Sequence, residues 1–266
     1  MLDAYRDSIG AKLLLWGVSS LVLAFLMLPT LIVVPLSFSA SDLLEFPPRH
    51  WSLRWYESFF ASPAWMAALS TSLRLAILTA LIAVPVAFMA AIGMDRLGFR
   101  VKAGIYGFIL SPAVTPGILL AIGLFMVLAK LGLVGTFSGV LVGHVVLAIP
   151  VCVVVLNPAI ARFDWQQALA AQSLGAGWAR IIVGIILPQV GTSLVAAGLM
   201  ALLTSLDEAV ISIFVANGAN ATLPKLMFIS LRDEIDPTIA AISTLWITLV
   251  TVLVIFINTR LNDNHT

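Results

Sequence analysis

Hydrophobic residues fall in long unbroken runs rather than in alternation. With charged residues taken as punctuation, six apolar stretches stand out, near 13–38, 65–93, 103–129, 137–159, 185–214 and 238–259. A helix rising about 1.5 Å per residue needs about 20 residues to cross the hydrocarbon core of a bilayer, and each stretch supplies them. Backbone groups in lipid must be satisfied within the segment, so the stretches are predicted as transmembrane helices. The alternating strands of an outer-membrane barrel are absent. The predicted fold class is an all-α integral membrane protein, one domain over 1–266 with six transmembrane helices. No charge occurs from Leu13 to Ser41, about twice the length of a signal-peptide apolar core, so the first run is read as an uncleaved span.

Composition agrees with the pattern. Of 266 residues, 61% are hydrophobic and 10% charged, with a mean hydropathy of +1.09. Soluble domains carry about 25% charged residues, so this chain cannot coat a water-soluble globule, and the lipid bilayer is its solvent. A net charge of +1 gives no electrostatic argument for nucleic acid. Cys152 lies alone in an apolar run and reads as packing. Lys and Arg distribution sets orientation. With the N-terminus inside, the cytoplasmic side holds Arg6, Lys12, Arg96, Arg100, Lys102, Arg162, Arg180 and Arg260; the outer side holds Arg49, Arg54, Lys130, Lys225 and Arg232. Both termini are therefore predicted to be cytoplasmic. Pro29, Pro35, Pro85, Pro112, Pro116 and Pro150 fall inside apolar runs and are read as kinks that help packing. The first outer loop carries Trp51, Trp55 and Tyr56, which suit the headgroup boundary, and a short interfacial helix is predicted from Leu53 to Phe60.

The longest inner loop, 160–187, is the most informative segment. Asp164 can cap a helix running from Gln166 to Leu174, and Gly175 can end it in a left-handed turn. A second helical piece follows from near Ala176, and Pro188 marks entry to the fifth span. Trp165, Leu169 and Leu174 are apolar positions that would not all face water, so a partner protein or the chain's own helices must cover them. This predicts a helix–turn–helix at the inner face.

The spacing of Leu169, Ala170, Ala171, Gly175, Ile185, Leu187 and Pro188 resembles the signature loop of ABC importer permeases: Glu-Ala-Ala, three residues, Gly, nine residues, Ile-x-Leu-Pro. Leu169 stands where the family has Glu, a departure that bears on that Glu's polar contact and not on the helix–turn–helix. Further segments are similar to the spermidine/putrescine branch in the same order: Ser52-Leu53-Arg54-Trp55-Tyr56, Thr71 to Ala76, Ser111 to Gly117, Gly143-His144, Ser205 to Val210, Leu223-Pro224 and Ile235 to Ala241. The resemblance covers nearly the whole chain. It implies a permease subunit in the bacterial inner membrane that moves a small cationic organic solute into the cytoplasm by alternating access. It implies as partners a second homologous permease, two cytoplasmic ATPase subunits and a periplasmic binding protein. The coupling loop would present Asp164, Gln167, Leu169, Ala170, Ala171, Leu174, Gly175, Ala176 and Pro188 to an ATPase. No phosphate-binding Gly-x-x-x-x-Gly-Lys-[Ser/Thr] motif is present, so no cofactor is expected on this chain; ATP and Mg would sit on the ATPase, and the chain is not itself an enzyme.

Asp207 and Glu208 lie late in the fifth span, where an ionised group costs about 2.5–3.5 kcal/mol at mid-membrane and usually faces a cavity or a partner. Asp207, Glu208 and Arg74 are the candidate substrate-path residues: either one of the acids faces the path and attracts a cationic substrate, or the acids form a structural ion pair with Arg74 of the second helix. His144 in the fourth span reads as a hydrogen-bonded packing residue, with no second ligand at metal spacing. Asp233, Glu234 and Asp236 form an acidic outer loop that reads as solvated. Other readings are an importer permease for another small organic solute, amino-acid-like or phosphonate-like, and an ion-coupled secondary transporter.

Overall fold

The computed structural model describes residues 9–233 and 236–263; Arg6, Glu234 and Ile235 of the sequence-based expectations lie outside them. The described residues are helical, apart from connections and one isolated bridge between Ser39 and Trp51. They group into two compact units, Met1–Pro63 with Ser230–Thr266, and Ala64–Ile229.

The first unit contains α1 (Ile9–Ser37), α2 (Arg54–Ala61) and α13 (Thr238–Asp263), and α13 packs on both α1 and α2. Asp236 accepts the Thr238 amide at 2.8 Å and so caps the start of α13. Side chains along α1 from Lys12 to Leu31 are exposed and almost wholly apolar, a surface that only lipid or another protein can cover. The loop between α1 and α2 closes on itself. Arg54 donates to the Ala40 carbonyl at 2.8 Å and pairs with Asp42, and Tyr56 shares a 2.7 Å hydrogen bond with Ser37. A short helix is thus present where one was expected, one residue later.

The second unit contains α3 (Pro63–Asp95), α4 (Phe99–Val114), α5 (Gly117–Lys130), α6 (Phe137–Ala161), α7 (Trp165–Ser173), α8 (Trp178–Ile181), α9 (Leu187–Gln189), α10 (Gly191–Leu206), α11 (Val210–Val215) and α12 (Leu223–Asp233), whose last residues pass into the first unit. On α6 pack α4, α5, α10 and α11. Ala68, Ser72, Ala76, Thr79, Ala83, Ala87 and Ala91 form a buried stripe of small residues along α3 at three- and four-residue spacing, which lets neighbouring backbones come close without a hydrophobic drive from water. The core has two parts. One gathers Ala87, Ala91, Cys152, Leu156 and Ile160 with Phe163, Ala168, Ile181 and Ile186 of the 160–187 segment. The other gathers Leu75, Ala121, Leu128, Val140, Ile211 and Val215.

Two predicted spans are not straight. The third is α4 and α5, meeting at 101°. Thr115 ends α4 in extended conformation, as a residue before proline must, and Pro116 starts α5 without an amide to donate. Pro112 removes a donor one turn earlier; the Ser111 hydroxyl bonds the Phe108 carbonyl so freed at 2.8 Å. The fifth is bent by 81° between Gln189 and Gly191, and its apolar run stops at Leu206, with α11 as a separate short helix. Pro112 and Pro116 are therefore the site of a break, where gentle kinks were expected. Helices α1, α3 and α6 are each long and apolar enough to cross a membrane unbroken.

Candidate functional site: the elbow and the acidic break

The segment 160–187 folds as a helix–turn–helix, here called the elbow. Asp164 has extended backbone, and its carboxylate accepts the Gln166 amide at 3.0 Å, which starts α7. Gly175 has φ +82°. The Gly175 amide bonds the Gln172 carbonyl at 2.9 Å and the Ala176 amide bonds Ala171 at 3.0 Å, the double bond of a Schellman turn, which needs glycine at the left-handed position. The second arm, α8, begins at Trp178, two residues later than expected.

One face of α7 is anchored. Ala168 is buried, and Trp165 and Ala171 pack against the core at three-residue spacing. Phe163 meets Trp165 edge-on at 5.0 Å. The opposite face is bare: Leu169 is 51% and Leu174 90% exposed, beside exposed Gln166, Gln167 and Ala170. The apolar positions thus divide, Trp165 covered by the chain's own helices and the two leucines uncovered. Gln189 donates to Gln167 at 2.7 Å and ties α9 back to α7. Between α8 and α9, Ile182–Ile186 form a π turn; Pro188 has no amide to offer the regular ladder, and the wider turn accommodates it.

Further contacts join the elbow to the end of α3. The Trp165 indole donates to Asp95 Oδ2 at 2.8 Å, and Lys102 Nζ lies 3.1 Å from Asp95 Oδ1. The Arg96 guanidinium sits 4.3 Å from the Trp165 ring centre and 4.5 Å from that of Trp178.

The acidic pair occupies the break between α10 and α11. Asp207 is exposed and ends α10; Glu208 is half-buried and accepts the Ile211 amide at 2.6 Å, at the start of α11. Arg74 turns to its own helix and donates to the Ser70 carbonyl at 3.3 Å and hydroxyl at 2.8 Å. Neither acidic residue has an ion-pair partner among the described residues, so the alternative of a structural pair with Arg74 falls. The break is held by His144, which is buried and shares hydrogen bonds with Ser205 at 2.7 Å and Ser212 at 3.2 Å. Lys225 Nζ donates to the Ala216 and Ile213 carbonyls at 2.6 and 3.3 Å, at the C-terminal end of α11. In the acidic loop, Asp233 is taken by Arg232 at 2.7 Å, which holds its carboxyl below the usual carboxylate range.

Residues 83–264 match the profile of a family described as binding-protein-dependent transport system inner membrane component. The chain belongs to that family. It is the permease subunit of an ABC importer and an inner-membrane protein. It is 30% identical to the spermidine/putrescine transport system permease protein PotC of Haemophilus influenzae, over 92% of this chain and 95% of that one. It is 31% identical to the putrescine transport system permease protein PotI of Escherichia coli K12, over 86% and 85%. In fold it is similar to a chain of a bacterial ABC transporter that imports alginate, with TM-score 0.69 and 13% identity over 97% of this chain and 99% of that one. A second structure of a bacterial alginate transporter, in complex with an alginate-bound periplasmic protein, gives TM-score 0.71 at 15% identity over 97% and 95%.

In the permease, Asp164 to Ala176 come together as one elbow, and Asp207 and Glu208 lie together in the break; Arg74 joins neither. Asp95, Arg96, Lys102 and Gln189 were missed as functional candidates. Their local signals are weak, because Arg96 and Lys102 read as orientation charges, and the indoles that Asp95 and Arg96 meet, Trp165 and Trp178, lie far along the chain.

Proposed function

We propose that the permease carries a small cationic organic solute, such as spermidine or putrescine, from periplasm to cytoplasm by alternating access. The observation that carries the coupling half of this reading is the uncovered Leu169–Leu174 face of a rigidly capped elbow. An apolar face presented by a defined helix, rimmed by glutamines, suits a protein partner. Two cytoplasmic ATPases bind ATP and Mg, and one docks here on Asp164, Gln167, Leu169, Ala170, Ala171, Leu174, Gly175 and Ala176, with Pro188 setting the turn behind them. A second, homologous permease completes the pathway, and a periplasmic binding protein delivers the solute. The chain forms one permease domain and crosses the membrane six times, by α1, α3, the α4–α5 pair, α6, the bent run from α8 through α10, and α13. The elbow and both termini are cytoplasmic.

The substrate half rests on the names of the relatives and on Asp207. Its carboxylate ends a helix whose last carbonyls already carry partial negative charge, and no cation pairs with it among the described residues. An ammonium group supplies the missing charge. The test is uptake of radiolabelled spermidine and putrescine into proteoliposomes holding the permease pair, the ATPase and the binding protein. ATP-dependent uptake is expected. An assembly without an ATPase, or uptake driven by an ion gradient alone, refutes the importer reading; ATP-dependent uptake of another solute refutes only the polyamine.

A further inference from the structure

The contacts around Arg96 have no role in the reading above, yet they decide what moves with the elbow. Trp165 and Trp178 open the two arms on either side of the Gly175 turn. One guanidinium lies against both rings, so a single cation joins both arms. Arg96 directly follows Asp95, the last residue of α3. Asp95 uses both carboxylate oxygens, one for the Trp165 indole and one for Lys102 near the start of α4.

The elbow joins the bundle covalently at both ends, through residues 162–164 to α6 and through the π turn to α9, and its buried face packs on the core. The C-terminal connection passes through the π turn at Ile182–Ile186 and then the 81° bend, two departures from the regular α-helical ladder. The side-chain connection passes through Arg96 and Asp95 into α3, a helix of 33 residues with Pro85 inside it. At its far half, Leu75 of α3 packs in one cluster with Ile211 and Val215 of α11, and Ser72 accepts the Leu223 amide at 2.8 Å. Ile211 is the residue whose amide Glu208 caps. A chain of contacts thus runs from the elbow, along α3, to the acidic break.

We propose that Arg96, seated between Trp165 and Trp178 and backed by Asp95, is the joint that fuses the elbow to α3. A stroke on the elbow then moves α3 as a body instead of being absorbed in the π turn. Arg96 is a positioning residue: it acts through the two indoles. Lysine replaces it only in part, because an ammonium has no planar face to lay against two rings. This inference rests on the elbow being the ATPase docking site.

The test uses the full complex with its ATPase, with Cys152→Ser as background and spin labels at Gly93→Cys on α3 and Ser173→Cys on the elbow; both positions are exposed, and a side chain at Gly93 meets nothing within 4 Å. With Arg96 present, the label spacing is expected to be the same in nucleotide-free and vanadate-trapped states. In Arg96→Ala the spacing should change or broaden on trapping, and solute moved per ATP should fall about fivefold or more, in the range of a coupling free energy, while ATPase content stays at the wild-type level. Arg96→Lys should fall between. If Arg96→Ala does not assemble, Arg96→Lys and Trp178→Leu decide in the same way. Unchanged spacing in the variants, or a spacing that already shifts with Arg96 in place, overturns the joint while leaving the docking site intact. A wild-type assembly that binds no ATPase removes the docking site, and the joint with it.

Discussion

His144 shows how a single side chain can hold a discontinuity in place. Its two ring nitrogens reach Ser205, near the end of α10, and Ser212 in α11, so one imidazole spans the break that carries the acidic pair. Replacing it with alanine strips the buried Ser205 hydroxyl of its imidazole partner, while Ser212 keeps the Glu208 carbonyl at 3.3 Å; one unsatisfied buried group costs about 1–3 kcal/mol. His144→Ala should lower the melting temperature of the detergent-purified permease, and His144→Asn should recover part of it. The preceding residue is constrained by space. A Cβ on Gly143 would lie 2.6 Å from Ile211 Cγ2, and Ile211 branches too near its backbone to swing clear. Gly143→Ala is expected to destabilise by about 1–3 kcal/mol through overpacking, and adding Ile211→Ala should relieve it. A pair of effects that simply add in thermal melts would show that the contact does not matter.

At the scale of the element, the elbow is set by caps rather than by helix propensity. A nine-residue helix such as α7 is too short to persist alone. It depends on the Asp164 cap, the Gly175 turn and the anchored Trp165–Ala168–Ala171 face. Asp164→Ala should cost about 1 kcal/mol of local stability. Gly175→Val forces a β-branched residue to φ +82° and should cost about 1–2 kcal/mol or more. Both should appear as faster amide exchange across residues 165–176, and Gly175→Val should also reduce co-purification of the ATPase. The broken third span follows the same logic in reverse. Pro116 forbids a continuous helix and forces Thr115 extended, while the Ser111 hydroxyl tends the carbonyl that Pro112 leaves open. The motif from Ser111 to Gly117 is thus a device for turning the chain by 101° inside an apolar run.

At the scale of the whole molecule, what matters is where uncompensated charge is left in an otherwise apolar run. Asp207 is exposed at a helix end of its own sign and lacks a counter-charge among the described residues. Asp207→Asn should cut uptake of a polyamine about fivefold, the loss of a solvated charge contact worth up to about 1 kcal/mol, with unchanged yield of the assembled complex. Wild-type uptake by that variant would place the solute elsewhere. Glu208→Gln should act mainly on stability, since the carboxylate is committed to the Ile211 amide at 2.6 Å.

The sequence by itself determined what depends on short-range rules. Long apolar runs need lipid and become helices, Asp164 and Gly175 fix the two ends of α7 by local hydrogen bonding, and the ordered motifs place the chain in its family. It also marked Asp207 and Glu208 as out of place in an apolar run. Only the tertiary structure decided which residues meet across the bundle: His144 with serines 61 and 68 positions away, Trp165 with Asp95 at 70, and Arg96 with two indoles. It likewise turned the third and fifth predicted spans into runs bent by 101° and 81°, and turned Arg74 to its own helix. In lipid, hydropathy gives a helix no preference for one neighbour over another. Partners are chosen by shape and by the few polar groups that must find each other, and those groups lie far apart along the chain.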